Sequence, residues 1–351
     1  MIQLVGERVF IFDTEEVHLK SIHKLWNEPN VMKWVGFPDG VNIPFDKMKD
    51  WLIQIQSSSK KKHFVIFDLR MNFCGELYFE NENDFRAGLD IKLLPAFQGK
   101  GYATEALQFL IAYVFENYND CSTVWTEPAK SNSSAIELYA RCGFTNTYID
   151  ADENKQRTYW ELKRNERTIN SEVKQVHLRP IQPKDIDDYI RWYTTETEWM
   201  NWDAPWEMED PIDMDDLIVR LKKRMNNNSG VMEIYLSSGE HIGWVSSYYI
   251  DDDTTKLAVG IDIPEVKYRS QGNGSKALEY WINYNFCEEK QMEEVYTQTW
   301  SGNEPMIGLA KKLGFQEVTR KIGIRQVRGN SYDALTFKLK RNSFFGEETR
   351  S

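Results

Sequence analysis

Residues 63–69 (HFVIFDL) and 75–80 (GELYFE) are two runs of aromatic and β-branched side chains on either side of a break at Met71-Asn72. Such runs predict an antiparallel strand pair closed by a turn. AGLDIKLL (87–94) predicts a further strand leading into a glycine-bearing turn. From Thr104 the period changes, and Ala106, Leu107, Leu110, Ile111 and Val114 fall on one helical stripe. STVWT (122–126) returns to strand, and SSAIELYARC (133–142) reads as a helix stopped by Gly143, a C-cap signal. A last strand follows near TYWEL (158–162). Strands and helices mixed in this way predict an α/β layer fold.

The chain then repeats itself. QGKGYATEALQFLIAYVF (98–115) and RSQGNGSKALEYWINYNF (269–286) share, without a gap, Gly101 with Gly272, Ala106 with Ala277, Leu107 with Leu278, Ile111 with Ile282 and Phe115 with Phe286. The separation of 171 residues persists through Val124 and Val295, Thr126 and Thr297, Asn132 and Asn303, and Gly143-Phe144 and Gly314-Phe315. One register held across a turn, a helix, a strand and a second helix marks a duplication. The period is too long for a solenoid, whose units run about 20–50 residues. Each copy is therefore expected to be a domain, residues 1–165 and 174–341, joined by the polar stretch KRNERTINSEVK (163–174). A length of 351 residues agrees with two domains.

Composition narrows the class. With 41% hydrophobic and 13% aromatic residues the chain can build packed cores. Charges interrupt every apolar stretch, and the start MIQLVGERVF lacks the basic leader of a signal peptide, so a cytoplasmic protein is expected. Cys74, Cys121, Cys142 and Cys287 form no C-x-x-C pair, and the five histidines add no metal-ligand spacing, so reduced thiols and no metal are expected. The net charge of −11 opposes binding to nucleic acid or to an anionic membrane. It suits a cationic small molecule or basic peptide, and equally suits solubility alone.

In both copies a strand leads through a turn into a helix: Gln98-Gly99-Lys100-Gly101-Tyr102-Ala103 and Arg269-Ser270-Gln271-Gly272-Asn273-Gly274. A turn of this kind is an anion cradle, because main-chain N–H groups point outward and the helix start adds about half a positive charge. Glycine permits the dihedrals and the close approach of phosphate oxygens. The first turn lacks the third glycine of a dinucleotide fingerprint, and neither carries the Lys-Ser/Thr of a nucleotide P-loop.

These turns resemble the acetyl-coenzyme A signature of the GNAT N-acetyltransferases, Q/R-x-x-G-x-G/A. Asn132-Ser-Ser-Ala-Ile-Glu-Leu-Tyr139-Ala-Arg-Cys-Gly143-Phe144 and Asn303-Glu-Pro-Met-Ile-Gly-Leu-Ala310-Lys-Lys-Leu-Gly314-Phe315 resemble the second signature of that family. The resemblance covers nearly the whole chain. It implies two tandem GNAT-like domains, each a central, mostly antiparallel sheet with helices on both faces. It implies acetyl-CoA as cosubstrate and a primary amine as acceptor, on a polyamine, an aminoglycoside-like small molecule or a protein N-terminus. The pyrophosphate would rest on the N–H groups of Lys100 to Ala103 and of Gln271 to Gly274, with Gln98 and Arg269 supporting the loop or a phosphate. The pantetheine arm would run between the strand before the turn and STVWT, pairing like an added strand. Asn132 and Asn303 would bond that arm, cap the next helix, or do both.

Acetyl transfer needs a neutral amine, a proton acceptor, and a donor for the departing thiolate. By resemblance Tyr139 is the donor; its other reading is a half-buried aromatic on an amphipathic helix. The second copy has Ala310 in that place, and its run MIGLAKKLGF resembles the branch that acetylates ribosomal-protein N-termini, whose members commonly lack the tyrosine. Water or a hydroxyl such as Ser301 would then serve. Asp90 and Asp262 stand in A-G-L-D-I and V-G-I-D-I, on the strand where many members carry a glutamate base. Each reads equally as an outward polar residue of an alternating strand. Trp199-Met-Asn-Trp202-Asp203-Ala-Pro-Trp206-Glu207 sets aromatics beside carboxylates, able to hold a cation or simply to pack, with Trp26-Asn27-Glu28-Pro29 and Trp34 a fainter counterpart. An N-acetyltransferase, an asymmetric enzyme with a structural or regulatory second domain, and an acetyl-CoA sensor all stay open. So does the oligomeric state, since two copies of one fold can dock as an intramolecular pseudo-dimer.

Overall fold

The computed structural model describes residues 1–81, 85–147, 156–166, 175–206, 212–226 and 230–346. The chain forms two compact units, Met1–Ile169 and Asn170–Ser351. Of the expected link, residues 167–174 lie outside the described residues.

The sheet of the first unit runs Ile2–Val5, Val9–Asp13, Lys61–Asp68, Phe73–Asn81, Arg86–Leu93, Thr123–Thr126, Trp160–Lys163 and Thr145–Asn146. The hairpin predicted around Met71-Asn72 is present, with Val65 opposite Glu76 and Met71 at φ 59° in the turn. Because strand side chains alternate between faces, Phe64 and Ile66 enter one core while His63 faces the other way. Helix Tyr102–Asn117 covers the first face, burying Ala106, Leu107, Leu110, Ile111, Val114 and Phe115 against Val9, Ile11, Leu77 and Leu89. Each large aliphatic side chain so buried contributes about 1.5–3 kcal/mol, which seats this helix, and the turn before it, firmly on the sheet. Helices Leu19–Trp26 and Lys47–Gln56 lie on the other face, bringing Trp26 and Trp51 together over His63.

The second unit repeats the plan. Its sheet runs Gln316–Val327, Asn330–Lys340, Glu294–Trp300, Leu257–Asp262, His241–Tyr249, Val231–Leu236 and Val176–Arg179. Helix Asn273–Glu288 buries Ala277, Leu278, Trp281, Ile282 and Phe286. Helix Ile186–Thr194 places Tyr189 and Trp192 against His241 and Trp244.

One feature common to both sheets positions the site. Described neighbours pair antiparallel except where Arg86–Leu93 meets Thr123–Thr126 and Leu257–Asp262 meets Glu294–Trp300. The first of these parallel ladders ends at Gly88 opposite Trp125, and the second consists of Ala258 opposite Tyr296. Beyond those points the two strands of each parallel pair are no longer partners. The later part of each glycine-turn strand therefore has no ladder partner on that side, where the resemblance expects the pantetheine arm.

Candidate active site

The two turns share one backbone conformation. Gly99 and Gly101 have φ of 73° and 82°, and Ser270 and Gly272 have 58° and 85°. Left-handed positions of this kind let neighbouring N–H groups converge on an anion. Ser270 adopts the conformation at a cost of about 1 kcal/mol relative to glycine. Gly101 and Gly272 are also the N-caps of their helices, with no side-chain oxygen taking up the first N–H groups. A β-carbon at Gly99 or Gly272 would meet nothing within 4 Å, so both turns open outward. These are features that a diphosphate fits.

The surrounding side chains brace the turns. Gln98 donates from its amide to the Leu93 carbonyl at 2.9 Å, and Arg269 donates to the Ile263 and Pro264 carbonyls at 2.7 and 2.5 Å while bridging to Glu198 at 2.6 Å. Of their two expected roles, loop support is the one with bonds in place. Lys100 lies over the Phe97 ring, on which Tyr102 stacks, and Ala103 packs against the first core. Gln271 donates to the Lys267 carbonyl, and buried Asn273 to the Tyr268 carbonyl at 2.9 Å. Gly274 lets its helix sit close to Ile261 and Ile263. Asn132 and Asn303 both cap, accepting from the Ala135 and Met306 N–H groups at 3.1 and 3.0 Å. Asn303 also donates to the Trp202 carbonyl at 2.6 Å, where Trp300 donates as well.

Tyr139 is buried and hydrogen-bonded with Thr126. Burial, with the Asp90 charge adding to it, raises its phenol well above the ordinary tyrosine value. A phenol so placed is protonated at neutral pH. In the second unit Ala310 is fully buried at the matching position, and the Thr297 hydroxyl, counterpart of Thr126, is buried without a hydrogen-bond partner. That orphaned hydroxyl is the physical trace of the missing phenol. Ser301 accepts from the Asp333 N–H at 2.9 Å and is thereby tied to the neighbouring strand.

The two aspartates have different surroundings, and they stand 172 residues apart, one more than the register of the turns. Asp90 lies opposite Tyr78 and is bonded by the Lys92 ammonium, which also reaches Glu76 at 3.0 Å. Glu76 further accepts from Trp26 at 2.8 Å and pairs with His63 at 3.1 Å. Burial opposes its charge, but Lys92 and His63 outweigh burial and hold its carboxyl down at about 2. A pocket of about 600 Å³ takes in this cluster together with Trp26, Trp51 and Met32. Asp262 lies opposite Trp244. Burial, and then the nearby Asp203 charge, raise its carboxyl well above the usual range against the opposing pull of Arg269. A cleft of about 530 Å³ is lined by Gly272, Asn303 and Asp262, and also by Asp203, Trp202 and Tyr248. The aromatic–acidic segment therefore borders the second turn, although Glu207 lies outside the described residues.

Sequence reasoning missed Glu76, His63 and Lys92. Their alternation with core residues was the available signal: Glu76 and Tyr78, like Asp90 and Lys92, are two apart and so share a face. It also missed a pair of ties repeated in both units, Arg141 donating to the Thr104 hydroxyl at 3.2 Å and Lys312 to that of Ser275 at 2.9 Å.

The sequence model of the acetyltransferase (GNAT) domain matches residues 8–145 and again 175–316. The chain belongs to the GNAT acetyltransferase family, with two tandem copies of the domain. It is an acetyl-CoA-dependent N-acetyltransferase, moving an acyl group to an amine. The spermidine N(1)-acetyltransferase of Escherichia coli (strain K12) is 29% identical over 132 residues, 37% of this chain and 69% of that protein. Among solved structures, spermidine N-acetyltransferase from Vibrio cholerae with CoA and spermine is 21% identical, with a TM-score of 0.39 over 45% of this chain and 96% of that one. The RimL ribosomal L7/L12 α-N-protein acetyltransferase with CoA is 12% identical, with a TM-score of 0.41 over 48% and 95%. No helix among the described residues is long and apolar enough to cross a membrane.

Proposed function

We propose that the chain acetylates a primary amine of a small polycation, with acetyl-CoA held on the glycine turns. The observation that carries this reading is the second cleft, where the turn, the aromatic faces of Trp202 and Tyr248, and the Asp203–Asp262 carboxylates border one space. A carboxyl raised by burial and by a like charge regains its ionised form when an ammonium enters. It can then take the proton that the amine must lose before it attacks. A similar relative that acts on spermidine supports a polyamine over an aminoglycoside or a protein N-terminus. When bound, acetyl-CoA supplies the acetyl thioester. The N–H groups at 100–103 and 271–274 hold its diphosphate, and Asn132 and Asn303 face its arm. In the first unit Tyr139 is the proton donor and Asp90 the acceptor, the poorer of the two aspartates because Lys92 already engages it.

Ala310 and the orphaned Thr297 hydroxyl favour a second reading, in which Tyr139 makes the first unit the faster catalyst and the second unit serves mainly in binding. Thiol release measured with spermidine, an aminoglycoside and an N-terminal peptide tests the acceptor. Gly101→Asp and Gly272→Asp assign turnover to a unit, because each puts a carboxylate and a strained left-handed residue into its cradle. Asp262→Asn should lower the spermidine rate at least tenfold if the first reading holds, a modest loss for a general base. An unchanged rate would rule Asp262 out as the base. Tyr139→Phe with no effect on any amine would remove the proposed donor.

A further inference from the structure

A cationic side chain from a distant hairpin turn reaches the first cradle. A β-carbon built on Gly101 would lie 3.4 Å from Cδ, 3.5 Å from Nε and 3.7 Å from Cζ of Arg8, so this guanidinium borders the cradle directly. Arg8 belongs to the short turn between Ile2–Val5 and Val9–Asp13, and that turn is clipped to the cradle's own helix. Glu105, in the first turn of Tyr102–Asn117, accepts from the Arg8 N–H at 3.0 Å. Glycine at position 6 leaves room for this clip, since a β-carbon there would stand 2.0 Å from the Glu105 carboxylate and push it aside. The Arg8 side chain is 44% exposed, and its ionic contact is a 3.4 Å approach to Glu7. The guanidinium is thus solvated on one side and fixed at its backbone on the other. In the second copy the family match begins at Gln175, as the first begins at Arg8, and the residue 171 beyond Glu105 is Lys276. At these two places the second copy has Gln175 and Lys276 instead of the cation and the acid.

We propose that Arg8 closes the first cradle over the diphosphate of the coenzyme, giving the first unit a charge-assisted grip from its first hairpin turn. The inference rests on the turns being the coenzyme sites. Main-chain N–H groups at 100–103 receive the diphosphate from below, and the guanidinium meets it from the Gly101 side. Arginine is suited to this because its planar fork matches phosphate oxygens and stays charged. Its contribution is screened by salt, because the site is open to solvent.

The test uses the full chain carrying Gly272→Asp, so that binding reports the first cradle. Coenzyme A and 3′-dephospho-coenzyme A are titrated calorimetrically at low and high salt. Arg8→Gln should weaken coenzyme A binding about tenfold at low salt and less at high salt, with Arg8→Lys recovering part of the loss. Dephospho-coenzyme A should show the same loss, because it retains the diphosphate. Equal affinity for Arg8→Gln and its parent would overturn the proposal, as would a loss confined to the ligand that has the 3′-phosphate. If the Gly272→Asp parent binds no coenzyme A, the cofactor reading of the first turn fails together with the clamp. Failure of Arg8→Gln alone leaves that reading standing.

Discussion

His241 offers the sharpest quantitative test of how the second unit is held together. It is buried, with Nδ1 3.0 Å from Asp188 and Nε2 2.9 Å from Glu233. Asp188 is also bonded by Arg191, and Glu233 by Arg224 and Tyr189. Burial alone would lower the imidazole pKa, but the bonds to Asp188 and Glu233 and the charges of Glu233 and Asp185 carry it up to about 9. A group whose folded pKa is raised lends stability that is fully present below its unfolded value of 6.5 and is lost as pH rises through about 9. The interval of about 2.5 units corresponds to about 3 kcal/mol at about 1.4 kcal/mol per unit. With a urea slope of about 2 kcal/mol/M, the unfolding midpoint should drop by about 1.5 M between pH 6 and pH 10. Tryptophan fluorescence reports it, since Trp192 lies 4.7 Å from the imidazole. His241→Gln should abolish the slope while unfolding at lower urea at pH 6. A midpoint that stays level from pH 6 to pH 10, or that falls equally in His241→Gln, would refute the reasoning. The consequence reaches the site, because Arg191 and Trp192 both bond Glu265 at the threshold of the second turn.

The first unit should show the opposite dependence. Glu76 is held at about 2 against its ordinary 4.5, so its contribution is present above pH 4.5 and lost on acidification towards pH 2, about 3 kcal/mol in all. Lys92→Met should flatten that acid limb in urea unfolding, and an undiminished limb would exonerate Lys92. Thr126→Val leaves the buried Tyr139 hydroxyl unpaired and should destabilise the first unit by about 1–3 kcal/mol, whereas Thr297→Val removes an already orphaned hydroxyl and should be neutral or stabilising. Equal losses from the two, measured by calorimetric unfolding, would contradict the contrast. Gly6→Ala must turn the Glu105 carboxylate off the Arg8 N–H, and Gly99→Ala must hold a β-carbon at positive φ, so each should lower the melting temperature by a few degrees; an unchanged melting temperature would show that the clip or the left-handed turn carries no stability.

Local order was legible because it follows from short-range rules. The stripe from Ala106 to Val114 could bury only as a helix face, and the 171-residue register carried fold, turns and caps from one copy to the other. Asn132 and Asn303 were readable as caps because capping depends on the next three residues alone. Even the loss of the phenol in the second copy could be read from Ala310. What could not be read was the company each aspartate keeps. Asp90 and Asp262 look alike in A-G-L-D-I and V-G-I-D-I. Yet one is bonded by Lys92 beside Glu76 from the adjoining strand, and the other has Asp203 from a distant segment as its neighbour. Charge interactions act through space and depend on dielectric surroundings, and both are settled only when strands pair and helices close over them. For the same reason Arg8, 93 residues before Gly101, became part of the cradle only once the helix had docked on the sheet.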